Sequence, residues 1–436
     1  MSEPMLFVST RGQSPAVGLS AAIAAGLAPD GGLYVPQALP APRALQPGAS
    51  LAATALELLA PFFADDGLQH ELPAICAAAF DFPAPLLPLA TSSDHVLELF
   101  HGPTAAFKDF GARFLAQCLS RLQPPGGRPL TIVVATSGDT GAAVAAAFHN
   151  VPGLEVVVLY PDGRVSPRQA HQLGCMGDNI HTYKVAGSFD DCQAMAKQVL
   201  ADEALQARCP LSSANSISLG RLLPQMAYYA HAGLEHQAAS GRPLNLVVPT
   251  GNLGNAMAAV LARALGVPLG RIVLATNANA VLPAFFAGAD YEPGASVATL
   301  ANAMDVGAPS NFERLLWLHG GDAAALQEQF VARSVDDAQI REVIGRRYRD
   351  HGEVFCPHTA CAVTVLEQLR SEGAAAAGQD WAVVATAHPA KFEAVVEPLI
   401  GRGLAVPSAL AALLARPAHA EPLAASAHAL RQQLLG

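Results

Sequence analysis

The stretch His101–Gly111 reads HGPTAAFKDFG and sets Lys108 among Gly, Pro, Ala and Phe, with Asp109 directly beside it. A lysine is ordinarily a solvated surface charge. In apolar surroundings its ammonium loses solvation, its pKa falls, and the neutral amine becomes a nucleophile. Such an amine can carry a carbonyl cofactor as a Schiff base. The lysine alone does not decide between the two readings, so the polar loops elsewhere in the chain have to be weighed with it.

Three loops could hold anions. Gly251–Asn255, GNLGN, has two glycines that let the backbone turn tightly and aim several N–H groups at one point. A helix start adds partial positive charge, which suits a phosphate. The ordinary alternative is a tight strand-to-helix turn; the loop lacks the spacing of a dinucleotide fingerprint and the lysine of a P-loop. Ser137–Gly141, SGDTG, offers the hydroxyls of Ser137 and Thr140 with helix-terminal amides, a set that fits a carboxylate. Plain N-capping uses the same residue types. Asp139 is awkward in an anion site and must point away, be protonated or face a cation. In SANSISLGRLLPQ, Asn215, Ser216 and Arg221 bring an amide, a hydroxyl and a guanidinium close together. A bidentate arginine matches a phosphate; a helix cap plus a surface arginine is the simpler reading.

Other polar residues carry less. Cys356–Cys361, CPHTAC, matches no standard zinc spacing, and Pro357 stiffens it, so no metal is expected. His101 and His388 fit either acid–base groups or satisfied polar residues. Lys391 opens an expected helix and reads as a solvated charge.

The elements that must position these loops alternate. Strands are expected at Val96–Phe100, Thr131–Ala135, Glu155–Tyr160, Ile180–Val185, Leu244–Val248, Arg271–Thr276 and Trp381–Thr386. Helical spacing lies between them, including Phe110–Leu122, closed by Pro124-Pro125-Gly126-Gly127. Ser188 and Asp191 form a capping-box pattern for a helix running to about Leu205. Apolar strands alternating with helices imply parallel sheets covered on both faces, with ligands beyond the carboxyl ends of the strands. Loops 136–141, 251–255 and 386–391 fall there. Residues 1–90 read as a mostly helical opening, with prolines 83, 85 and 88 marking its end, and the Ala/Leu-rich tail from about 403 reads as helical.

The chain has 436 residues, 51% hydrophobic and 14% charged, enough for two or three domains. A net charge of −10 without a basic run argues against nucleic acid. No signal-peptide pattern or membrane-length apolar run is read, and seven scattered cysteines suit a reducing compartment, so a cytoplasmic location is expected.

Taken together, FHGPTAAFKDFG, TSGDTGAAVAAAF, ANSISLGRLLPQ, VPTGNLGN, PHTA and ATAHPAKF, in that order, resemble the threonine synthase family, as do VSTRG and LAPDGGLYVP near the start. The resemblance runs from near residue 5 to about 400. It implies an α/β, tryptophan-synthase β-like fold (pyridoxal-phosphate fold type II): two parallel or mixed-sheet domains behind a mostly helical N-terminal one. The expected division is 1–90, 91–403 with a smaller subdomain at about 128–225, and a tail at 404–436. It implies pyridoxal 5′-phosphate as cofactor and conversion of O-phospho-L-homoserine and water to L-threonine and phosphate, by a monomer or homodimer. The rival within the same fold is a phospho-lyase or dehydratase releasing a 2-keto acid and ammonia.

By the same resemblance, Lys108 holds the cofactor aldehyde and moves protons. Gly251, Asn252, Leu253, Gly254 and Asn255 cradle its phosphate, and Thr386 meets the pyridine nitrogen. Ser137, Asp139 and Thr140 surround the substrate carboxylate and the cofactor hydroxyl. Asn215, Ser216 and Arg221 take the substrate phosphate. The chain departs from many relatives of the fold at Asp139, where Asn is common. It also departs at Leu253, often Phe, a change of little consequence if main-chain amides do the binding.

Overall fold

Leu244–Pro249 is buried at every position because both of its faces are covered. Leu244, Leu246 and Val248 pack towards the helices Met226–Ser240 and Gly254–Ala264; Val247 packs towards Pro357–Ser371. Successive side chains leave a strand on opposite faces, so a strand sandwiched between helix layers has no polar side. Trp381–Ala385 and Leu130–Ala135 are buried throughout for the same reason. The computed structural model describes residues 5–90, 93–124 and 126–435. Pro125, in the turn expected after the lysine helix, and Thr91, at the expected domain boundary, lie outside the described residues.

The central strand belongs to a six-stranded sheet with the order Val331–Ser334, Leu269–Thr276, Leu244–Pro249, Trp381–Ala385, His95–Glu98, Leu86–Pro88. All neighbours are parallel except the last, antiparallel pair. Leu86–Pro88 lies among the prolines that marked a boundary in the sequence. It is tolerated as a strand because it sits at an edge, where a missing N–H costs little. A second, five-stranded parallel sheet has the order Glu421–Leu423, Ile180–Val185, Leu154–Pro161, Leu130–Ala135, Leu211–Ser213. The opening segment pairs Phe7–Ser9 with Tyr34–Pro36 and adds the helices Leu19–Ala25, Leu51–Leu59 and Leu72–Ala79.

Two local expectations need correction. The capping box at Ser188 and Asp191 is present, but its helix ends at Leu200. Asp202 then accepts from Leu205 N–H and starts a separate turn, Glu203–Gln206. The tail is not helical throughout: between Ser408–Leu414 and Ala427–Leu435 the strand Glu421–Leu423 adds to the edge of the five-stranded sheet. Leu423 and Leu430 bury there against Val199 and Tyr183, so the tail completes the covering of that sheet.

Candidate active site

Lys108 is the first residue of the helix Lys108–Leu122. The segment before it is fixed by long-range backbone bonds. Leu99 N–H donates to Ala385 O (2.9 Å), Phe107 N–H to Thr386 O (2.9 Å), and His388 N–H to Ala105 O (3.0 Å). Residues 99–107 and 385–388 therefore run side by side beyond the strand Trp381–Ala385. That pairing sets Lys108 next to Thr386, although 278 positions separate them in sequence (386 minus 108).

Lys108, Ser137, Asp139, Thr140, Asn215, Ser216, Arg221, Thr386 and the whole turn Gly251–Asn255 line one cavity of about 890 Å³. The parallel strands explain the convergence, because loops after strand ends all emerge on one side of each sheet. Arg11, Pro29 and Tyr34 of the opening segment line the same cavity.

The SGDTG loop is not capped by its own side chains. Thr136 Oγ1, just before it, accepts from Gly138 N–H and Gly141 N–H (2.9 Å each). Gly138 is the N-cap residue of Asp139–Phe148, at φ 131°, a conformation that disfavours any side chain. With Thr136 doing the capping, Ser137 and Thr140 are left facing the cavity. The glycine turn is held differently. A Cβ on Gly251 would lie 2.8 Å from Met304 Cα, so the turn needs glycine to pack under the 302–306 segment. Leu253 takes a left-handed conformation (φ 62°) at the N-cap of Gly254–Ala264, a strained choice of the kind that collects at functional sites. Met257 N–H turns back onto Leu253 O (2.8 Å), and the amides before it, as at any helix start, are free for a ligand.

Asn252 Nδ2 donates to Ser216 Oγ (2.6 Å), and Asn311 Nδ2 donates to Asn252 O (2.9 Å) and Ser216 O (3.3 Å). The two candidate phosphate loops are thus stapled together. Arg221, for which a surface position stood open, is buried and donates from Nη1 to Ala214 O (2.5 Å). Its Nε, Asn215 Oδ1 and Asn255 Nδ2 are buried polar atoms without protein partners. Such groups are costly unless a ligand or water meets them.

The question over Asp139 has an answer in the fold: it faces a cation. Lys391 Nζ lies 2.8 Å from Asp139 Oδ1, and Gln169 Nε2 donates to the same oxygen (2.9 Å). Lys391 is therefore not a solvated charge; it is 0% exposed, and its ammonium also donates to Thr104 O (2.8 Å). Burial works to raise Asp139, but Lys391 and Lys108 outweigh it and hold the carboxyl well below the usual range. Burial pushes Lys108 down to about 8; Asp139 opposes that shift, and Arg221 and Lys391 add to it.

His358, in the PHTA stretch, also lines the cavity and was not singled out as a site residue. Its Nε2 accepts from Ala303 N–H (3.1 Å), and burial lowers its pKa to about 4, so it is neutral. Only its place behind Pro357 at a helix start hinted at it. Cys356 caps that helix, its Sγ accepting from Thr359 N–H (3.4 Å). His388 and His101 do not line the cavity. His388 Nδ1 accepts from Ala390 N–H (3.1 Å), and His101 Nε2 lies 2.8 Å from Glu98 Oε2 at the surface. Among the described residues no cluster of His, Cys, Asp or Glu could hold a metal, and no helix is long and apolar enough to cross a membrane.

The arrangement is a neutral-capable amine inside a basic pocket, with hydroxyls, free amides and a buried guanidinium set for two or more anionic groups. Residues 81–387 match the family model described as pyridoxal-phosphate dependent enzyme; 6–80 match threonine synthase N terminus, and 359–434 threonine synthase, C-terminal. The threonine synthase of Serratia marcescens is 41% identical over 379 residues, covering 87% of this chain and 86% of that one. The crystal structure of the Escherichia coli threonine synthase superposes with a TM-score of 0.90 at 37% identity, over 99% of both chains. The structure of a PLP-bound threonine synthase from Brucella melitensis does so at 0.89 and 34%, again over 99% of both. An amine at a helix start, anion loops at the ends of parallel strands and likeness along the whole length lead to one conclusion: the chain belongs to the threonine synthase family of pyridoxal-phosphate-dependent enzymes.

Proposed function

We propose that this chain converts O-phospho-L-homoserine and water to L-threonine and inorganic phosphate, with Lys108 as the amine that holds the cofactor and moves the protons. The observation that carries the reading is the meeting in one cavity of Lys108, the Gly251–Asn255 turn and the buried Arg221. The donor set fits pyridoxal phosphate. A lysine with its pKa near 8 suits an aldehyde, free helix-start amides suit a phosphate, and the unpartnered Asn255 Nδ2 lies in the same turn. Gly251–Asn255 would hold the phosphate and Thr386 the ring nitrogen. Because the Thr386 hydroxyl is neutral, it does not keep that nitrogen protonated as a carboxylate would. When bound, pyridoxal phosphate supplies an electron-withdrawing conjugated ring that acidifies the carbon next to the substrate nitrogen.

The protein's own groups do the rest. Ser137, Thr140 and the amides starting Asp139–Phe148 bind the substrate carboxylate, and Asn215, Ser216 and Arg221 bind and orient its phosphate for departure. Lys108 Nζ, neutral in a good fraction of molecules near pH 8, takes the α-proton and returns a proton later.

We extend the reading to the division into 1–90, 91–403 and 404–436, and to a cytoplasmic monomer or homodimer without nucleic-acid or membrane partners. The net charge of −10 without a basic run supports the part of this reading that leaves out nucleic acid. The test is incubation of the cofactor-loaded protein with O-phospho-L-homoserine. Threonine and phosphate are expected in equal amounts; a keto acid with ammonia in place of threonine would establish a phospho-lyase instead.

A further inference from the structure

Asp139 is an ionised carboxylate at the head of a loop whose hydroxyls and helix amides are aimed at anions. Left unpaired, it would repel those anions and hold Lys108 as an ammonium, since an opposite charge nearby favours the charged form of an amine. Its partner comes from the other sheet. Lys391 follows Trp381–Ala385 in the six-stranded sheet, while Asp139 follows Leu130–Ala135 in the five-stranded one. Nζ of Lys391 reaches Asp139 Oδ1 and Thr104 O at 2.8 Å each. The backbone around Lys391 is held as well: Ser166 Oγ donates to Lys391 O (2.9 Å), and Arg168 Nη1 to Ala390 O (2.6 Å).

We propose that Lys391 is a positioning residue of the reaction centre: its ammonium is the counter-ion of Asp139, which spares Lys108 that pairing and fixes the Ser137–Thr140 loop to the Thr386 end of the six-stranded sheet. The proposal rests on Lys108 being the cofactor-binding amine. The charged and titratable groups around Lys108 are Asp109 on its own helix, Asp139, Arg221, His358 and Lys391. His358 is neutral, and Arg221 donates from Nη1 to Ala214 O and feels the charge of Asp109. Asp109 is turned onto Thr104, accepting from its N–H (2.9 Å) and Oγ1 (2.6 Å). Among these groups only Lys391 is close enough to neutralise Asp139 directly. The pair then presents no net charge to substrate or cofactor.

The experiment uses cofactor-free full-length protein. It follows the rate at which Lys108 captures added pyridoxal phosphate, read as the absorbance of the lysine-bound cofactor, across pH 6 to 10. The wild type is expected to titrate near 8. In Lys391→Met, Asp139 is left facing Lys108, so the midpoint rises by about one unit and capture below it slows about tenfold. In Asp139→Asn the pull on Lys108 is lost and the midpoint falls. The double variant Asp139→Asn/Lys391→Met removes both charges and returns the midpoint to within about half a unit of wild type. That variant carries the test if Lys391→Met does not fold. A Lys391→Met midpoint equal to wild type, an Asp139→Asn midpoint that does not fall, or a folded double variant displaced by a unit or more would each overturn the proposal. A wild-type protein that captured nothing at Lys108 would remove the Lys108 assignment itself, and this inference with it.

Discussion

Arg314 donates from both Nε and Nη2 to one main-chain carbonyl, that of Tyr34, at 3.1 and 3.0 Å. Nη2 also reaches Ile217 O (2.6 Å), and Nη1 reaches Asn311 Oδ1 (2.8 Å). Asn311 in turn holds Asn252 O and Ser216 O. One buried guanidinium, its four bonds all to neutral acceptors, therefore ties the strand Tyr34–Pro36 to both candidate phosphate turns. In Arg314→Met the carbonyls of Tyr34 and Ile217 lose their donor, at about 1–3 kcal/mol for each buried group left unmade. We expect a lower urea midpoint and a raised KM for the phosphorylated substrate. Arg314→Met with both values at wild type would show that the clasp does not hold the turns.

Thr136 lines the same cavity, but its hydroxyl oxygen is taken up by two loop amides, so it offers a test of loop geometry. Thr136→Val keeps the shape and removes the oxygen that receives Gly138 and Gly141 N–H. Loss of a cap of this kind costs about 1–2 kcal/mol. The expected outcome is a modest fall in thermal midpoint with a clear rise in KM, while Thr136→Ser stays near wild type. Equal behaviour of the two variants would mean that the hydroxyl does not shape the loop.

Gly251 and Gly254 should respond oppositely to alanine. At Gly251 the new methyl would meet Met304 Cα at 2.8 Å, and backbone must shift; overpacking of this sort costs about 1–3 kcal/mol. At Gly254 nothing lies closer than 3.5 Å, and alanine in a helix is favoured over glycine by up to about 1 kcal/mol. Thermal melts of the cofactor-free variants decide it: Gly251→Ala is expected to melt below wild type and Gly254→Ala at or above it.

What the sequence disclosed follows from locality. Glycine turns and a lysine in apolar company announce themselves within five to ten residues, so Lys108, Gly251–Asn255 and Ser137–Thr140 could be singled out, and the buried strands were legible as apolar runs. Lys391 and His358 could not be read that way. Each is a lone polar residue near a helix start, and its place at the site, His358 lining the cavity and Lys391 behind Asp139, follows from pairings across hundreds of positions, such as His388 N–H to Ala105 O. Thr136 was hidden by its neighbours, because Ser137, Asp139 and Thr140 are all good capping types. The strand Glu421–Leu423 is three residues long, contains a proline and lies in an Ala/Leu-rich tail; only the open edge of the five-stranded sheet makes it a strand.

Asp109 gives a pH dependence whose sign can be worked out. It is buried beside Thr104, and burial pushes its carboxyl up to about 6 from 3.8, with the two Thr104 bonds opposing the shift. The folded protein therefore holds this proton more tightly than the unfolded chain does. Stability from this group is fully present below pH 3.8 and is lost as pH rises through 6, by at most about 3 kcal/mol. Asp109→Asn has no such proton to lose. It forgoes the acceptor for one of the two Thr104 donors at every pH, a constant penalty. Comparing urea midpoints of the two proteins at pH 5 and pH 7.5 isolates the titrating part: the difference should move in favour of Asn at the higher pH. Movement in favour of Asp would mean that the nearby cations Lys391, Arg113 and Arg221 outweigh burial and keep Asp109 ionised at lower pH than its surroundings alone would allow.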